Sequence, residues 1–211
     1  MLDAQTALER LREGNARFVA NVRSLDTLLS HTRRAELAAG QEPIAIILGC
    51  SDSRVPAEIV FDQGLGDLFV IRVAGNVVAA SQVGSVEFAA ARFGTRLVVV
   101  LGHTQCGAVS ATLEELQRPT GSHSRNIQSI VERIRPAVAG LLDTDLRHQP
   151  GALMQAAVRA NVRAAAHQLR YGSPILEALI EREGLLVVGA EYSLETGVVE
   201  FFDGLPEDQR Q

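Results

Sequence analysis

The chain has 211 residues, of which 46% are hydrophobic and 21% charged, with a net charge of −5. That length suffices to bury one sizeable core. The acidic balance argues against a nucleic-acid or anionic-membrane partner, and no apolar run approaches the ~20 residues of a membrane span. All 20 basic residues are arginine, which we read as biased coding composition. The N-terminal Met1-Leu2-Asp3-Ala4-Gln5 carries none of the basic and apolar regions of a signal peptide, so the expected location is cytoplasmic. In a reducing compartment two cysteines serve as metal ligands or reactive thiols more readily than as a disulfide.

In chain order, residues 3–22 place Leu8, Leu11, Phe18, Val19 and Val22 on one helical stripe. A second helical piece runs to Ala39 and stops at Gly40, with Pro43 beyond. Together residues 1–40 form a helical arm ahead of the core at 41–211. The arm packs either on its own core or across a partner subunit. From residue 44 strands and helices alternate. Strands are predicted over 44–49, 68–73, 97–102, 185–190 and 198–202, and helices near 82–93, 107–117, 126–139, 152–169 and 174–183. Gly94 fits a helix stop, and Ser173-Pro174 an N-cap followed by proline at the first helical position. The stretch from Arg118 to Ser124 reads as an exposed loop. The pattern predicts a single α/β domain with a four-stranded parallel sheet flanked by helices. Only Ser193–Gly197 separates the last two strands, too little for a crossover helix, so the final strand is expected as an antiparallel edge.

Each cysteine follows a buried-strand candidate. Cys50-Ser51-Asp52-Ser53-Arg54 comes directly after Ile44–Gly49, and His103-Thr104-Gln105-Cys106-Gly107 directly after Leu97–Gly102. Ligands of an open parallel sheet bind beyond the carboxyl ends of its strands, so the fold can bring Cys50, His103 and Cys106 together. Two thiolates, one imidazole and an open fourth position describe a catalytic zinc site. Taken singly, each cysteine fits a buried inert thiol and His103 a hydrogen-bonded strand-end histidine. Asp52 with Arg54 fits a surface ion pair.

The stretches Cys50–Pro56 and Gly102–Val109 resemble the two signatures of the β-class carbonic anhydrases. Phe61–Asn76, Gly84–Ala89 and Tyr192–Val199 are similar to other parts of that family, so the likeness covers most of residues 41–202. It implies Cys50, His103 and Cys106 as ligands of one zinc ion per chain, and Asp52 with Arg54 as a catalytic dyad. The implied reaction is the reversible hydration of carbon dioxide to bicarbonate by a zinc-bound hydroxide, with activity rising at mildly alkaline pH. The implied assembly is a homodimer, or a dimer of dimers, gripped by the helical arm.

Gln41, nine positions before Cys50, matches a bicarbonate-binding glutamine of the plant-like subgroup. The bacterial subgroup with a regulatory bicarbonate site carries a tryptophan, and this chain has none. Phe69 fits the family's apolar wall beside the zinc, or else a core aromatic on a strand. Phe88 stands where the plant-like pattern has tyrosine and so lacks its hydroxyl. The Gly107 N–H, at a helix start, is placed to hold a bicarbonate oxygen. Alternatives on the same scaffold are hydrolysis of carbon disulfide or carbonyl sulfide, and a non-catalytic zinc-stabilised binding protein; the latter needs neither Asp52 nor Arg54. His31, His123, His148 and His167 have side chains suited to proton transfer, and none is assigned that role.

Overall fold

The computed structural model describes residues 2–22, 31–118 and 124–206. Helix α1 (Ala4–Val19) begins at Asp3, whose carboxylate accepts from Thr6 N–H at 2.8 Å as an N-cap. A second helix, α2 (His31–Leu37), follows. The sheet comprises β1 (Ala45–Gly49), β2 (Leu68–Arg72), β3 (Leu97–His103), β4 (Leu186–Tyr192) and β5 (Val199–Asp203). Between the strands run a single helical turn at Ala57–Val60 and helices α3 (Ala80–Arg92), α4 (Gly107–Gln117), α5 (Arg125–Val138), α6 (Pro150–Tyr171) and α7 (Pro174–Glu183). The strand order is β2-β1-β3-β4-β5, with β4–β5 the antiparallel pair and the remaining pairs parallel. The sequence-based elements match these within a few residues. Ser173 caps α7 through Leu176 N–H, and Gly94 sits at φ +66 just past the end of α3. The loop expected after Arg118 lies, for residues 119–123, outside the described residues, as does His123.

Every residue of β1 and β3 is buried, because helices cover both faces of the sheet. Alternation along the strands divides the core in two. Ala45, Ile47, Val99, Leu101, Val188 and Ala190 face Leu8 and Leu11 of α1, while Ile46, Leu48, Val98 and Val100 face α3, α6 and α7 through Val86, Val162 and Leu176. Leu8 and Leu11 are both 0% exposed, so α1 docks on its own chain; each leucine stabilises the fold by roughly 1.5–3 kcal/mol. Asn15 of α1 donates to Val60 and Gly197 carbonyls and accepts from Val199 N–H, which ties the helix to the β4–β5 turn. No helix among the described residues is long and apolar enough to cross a membrane.

The direction of the crossovers changes between β1 and β3. From β1 the chain moves outward to β2, and from β3 it moves the other way to β4. Such a point leaves a crevice at the strands' carboxyl ends. A third cluster walls this crevice, made of Val77, Val109, Leu113, Ile134, Val138 and Val158 around Cys50 and Cys106.

Candidate metal centre

Cys50 is the first residue beyond β1, His103 the last of β3, and Cys106 the residue before α4. Gln105 between the latter two sits at φ +56. This left-handed position reverses the chain so that both neighbours reach one point. One ligand atom from each of Cys50, His103 and Cys106 lies within 4.8 Å of the others, and all three residues are buried. A tetrahedral ion with bonds of ~2.3 Å to sulfur and ~2.0 Å to nitrogen spans edges of roughly 3.5–4 Å, so the cluster fits zinc.

The histidine supplies the sharpest test of that fit. Its Nδ1 lies 2.9 Å from the Thr104 carbonyl oxygen, to which it donates, while Nε2 is fully buried with no hydrogen-bond partner. The Thr104 contact fixes the tautomer that leaves the Nε2 lone pair free. Thr104 is itself held by its N–H to the Tyr192 carbonyl and by Leu194 N–H to its hydroxyl. A buried polar atom with no partner is rare in a folded chain, and a metal ion removes the anomaly.

The two sulfurs titrate as a pair. The hydrogen bond from Cys106 draws the Cys50 thiol well below its usual range against the effect of burial, helped by His103 and by Gly75 N–H at 3.3 Å. The same bond, with burial, drives Cys106 far up, although the Ala108 and Val109 amides at the start of α4 oppose this. Burial works against a charge on His103, but the neighbouring Cys50 sulfur outweighs it, with help from the Thr104 carbonyl and Asp52, and raises its pKa. A cation held between the two sulfurs would favour the thiolate form of both.

Asp52 sits beside this cluster. Its Oδ1 accepts from Arg54 Nε at 2.9 Å and Arg54 N–H at 3.0 Å, and Oδ2 accepts from Arg54 Nη2 at 2.8 Å. This forked pair holds the carboxyl far below the usual carboxylate range. Oδ2 also lies 3.9 Å from His103 Nε2, so the carboxylate borders the position an ion would take. Sequence reasoning missed Arg72, whose guanidinium donates to the Cys50 carbonyl at 3.1 Å and the Asp52 carbonyl at 2.6 Å. It also missed Gly75. Both lie in the Phe61–Asn76 stretch that shares in the resemblance, but nothing in their spacing shows that this segment folds back over Cys50.

Gly107 opens α4, where the first amides have no helical partner. Gln41, Phe69 and Phe88 are grouped elsewhere in the chain. Gln41 lines a cavity of about 560 Å³ with Leu37, Leu65, Gly66 and Phe93, and no residue of the metal cluster borders it. Phe69, Phe88 and Phe93 form an aromatic trio with ring centroids 5.6–6.4 Å apart, in which Phe88 is 54% exposed.

Residues 45–199 match the family model described as carbonic anhydrase. Carbonic anhydrase 2 of Mycobacterium tuberculosis is 42% identical over 198 residues, covering 90% of this chain and 89% of the relative. A carbonic anhydrase of Mycolicibacterium smegmatis is 40% identical over 205 residues, covering 92% and 91%. Among solved structures, a tetrameric β-carbonic anhydrase of Sordaria macrospora is 26% identical with a TM-score of 0.67, covering 80% of this chain and 84% of the other. A β-carbonic anhydrase of Aspergillus fumigatus is 25% identical with a TM-score of 0.71, covering 97% and 93%.

Proposed function

The chain belongs to the β-class carbonic anhydrase family, and from this premise we infer that it is a zinc enzyme hydrating carbon dioxide reversibly to bicarbonate and a proton. The observation that carries the reading is the convergence of Cys50, His103 and Cys106 on one point, with Nε2 of His103 buried and free and Asp52 alongside. We assign those three residues as the zinc ligands. When bound, zinc supplies a hydroxide near neutral pH.

Asp52 orients the attacking oxygen. Its paired carboxylate stays ionised and therefore only accepts hydrogen bonds. Oδ2 has a lone-pair direction left after the Arg54 bond and would accept a hydrogen bond from the nucleophile there, which turns the nucleophile's lone pair towards carbon dioxide. Arg54 offsets the cost of a carboxylate beside an anion. Arg72 clamps the carbonyls of Cys50 and Asp52 together, so ligand and carboxylate move as one unit. The Gly107 amide offers a donor to a bicarbonate oxygen. The apolar wall of Val77, Val109 and Val158 suits an uncharged linear substrate.

Gln41 and Phe69 complete the substrate site from a second copy of the chain, which accounts for their separation from the cluster within one chain. The Sordaria macrospora protein is described as tetrameric, which supports the reading of this chain as a dimer or a dimer of dimers. The test is stopped-flow carbon dioxide hydration from about pH 6.5 to about 9, with zinc content measured on the same samples. Activity should rise with pH, and Asp52→Asn should lose about a hundredfold or more while keeping its zinc. An Asp52→Asn enzyme with full activity would sink the orienting role; a zinc-loaded chain without hydration at any pH would sink the reaction.

A further inference from the structure

The turn after β2 reaches the metal centre through Gly75, whose N–H donates to Cys50 Sγ at 3.3 Å. Gly75 does so from φ +69, and Asn76 follows at φ +44. Two left-handed residues in succession, one of them not glycine, persist only where the surroundings hold them. On one side the turn is bonded to β1 around Cys50: Val73 N–H donates to Gly49 O at 3.1 Å, Ser51 N–H to Val73 O at 3.3 Å, and Asn76 N–H to Val73 O at 3.0 Å. Packing closes another side, since a Cβ on Gly75 would lie 2.8 Å from Ile134 Cδ1 and 3.0 Å from Ala108 Cβ.

The remaining hold comes from α6. Asn161 Nδ2 donates to the Gly75 carbonyl at 2.8 Å. Asn161 is 4% exposed and lies on the buried face of α6 beside Val158 and Val162. A polar amide there is unfavourable unless bonded, and its bond goes to the turn. The height of α6 is set by Val162, which fits against Gly102 so closely that a Cβ on Gly102 would lie 2.5 Å from Val162 Cγ2.

We propose that Asn161 is a positioning residue of the zinc centre: by holding the Gly75 carbonyl it fixes the Val73–Asn76 turn so that the Gly75 N–H meets the Cys50 sulfur. The inference rests on the reading of Cys50 as a zinc ligand. A donor on a ligating sulfur sets its direction and its charge, and removing such outer partners weakens metal binding by about 10–100-fold.

Asn161→Leu keeps the volume and removes the donor; Asn161→Gln keeps an amide; Asn15→Ala removes a buried amide bonded to Val60, Gly197 and Val199 instead. Zinc affinity is read by chelator competition, and ligand geometry by the thiolate charge-transfer band of the cobalt-substituted protein. Asn161→Leu should bind zinc about tenfold more weakly or worse and shift the band. Asn161→Gln should recover part of both, and Asn15→Ala should lower stability while leaving both unchanged. An Asn161→Leu protein with the zinc affinity and cobalt band of the unaltered chain overturns the proposal. A Cys50→Ala protein that binds zinc as tightly as the unaltered chain overturns the premise, and the proposal with it. Should Asn161→Leu not fold, NMR of the unaltered protein loaded with cadmium-113 decides. A Gly75 amide proton coupled to the metal, with exchange-protected Asn161 side-chain protons, upholds the proposal; loss of either overturns it.

Discussion

Tyr192 shows how a single side chain links the site to the stability of the fold. The residue is 6% exposed, its ring is packed 6.4 Å from the Phe18 ring of α1, and its carbonyl accepts from the N–H of Thr104, the residue that fixes His103. Burial raises its phenol pKa above the ordinary value. The folded chain therefore keeps this proton to higher pH than the unfolded chain does, so the unfolded state binds fewer protons above pH ~10. The stabilisation is complete below that point and is lost as pH rises through the folded-state value. Urea denaturation at about pH 9 and about pH 11 should show a larger loss for the unaltered chain than for Tyr192→Phe; equal losses would remove Tyr192 from the account. At this scale the sequence was legible for the Cys50, His103 and Cys106 cluster and for the Asp52–Arg54 contact, because each lies next to an apolar strand. Arg72, Gly75 and Asn161 were not, because they act through carbonyls and an amide of segments distant in sequence. Asn161 left one trace, a lone amide among Val158, Val162 and Ala165 on an otherwise apolar helical face.

Among the elements, α6 does most to join the catalytic end of the sheet to its far edge. It packs on β3 and β4 through Val162, whose methyls sit where Cβ atoms of Gly102 and Gly189 would be, at 2.5 and 2.8 Å. Arg159, on the same helix, donates to buried Glu191 of β4 at 2.7 Å and to Glu200 of β5. Neither glycine needs positive φ here; their small size lets the helix approach. Gly102→Ala should thus destabilise the chain by about 1–3 kcal/mol through overpacking, and Val162→Ala in the same chain should recover part of that by vacating the space. Denaturant midpoints of the two singles and the double measure it, and additive losses would show that the two residues do not share the space. Apolar runs and helix caps gave the elements and their order away in the sequence. The closeness of α6 was hidden, since a glycine in a strand signals close approach without naming the neighbour.

The whole molecule leaves the β2 side of the sheet unfinished. β2 pairs only with β1 among the described residues, and an open edge is a site for association unless it is covered. Beside it lie the aromatic trio, with Phe88 more than half exposed, and Leu65 at 41% on the cavity that Gln41 lines. Near the N-terminus, α1 is docked by Leu8 and Leu11 on its own core, whereas α2 borders the Gln41 cavity through Leu37. If a second copy covers this region and completes the substrate site, assembly and activity must fall together. Light scattering should give at least twice the 22.7 kDa chain mass. Leu65→Arg, which places a charge on the covered face but leaves Cys50, His103 and Cys106 untouched, should shift the protein to monomer and lower hydration about tenfold or more at unchanged zinc content. A fully active monomer, altered or unaltered, would show that one chain holds a complete site and that Gln41 and Phe69 have no part in it.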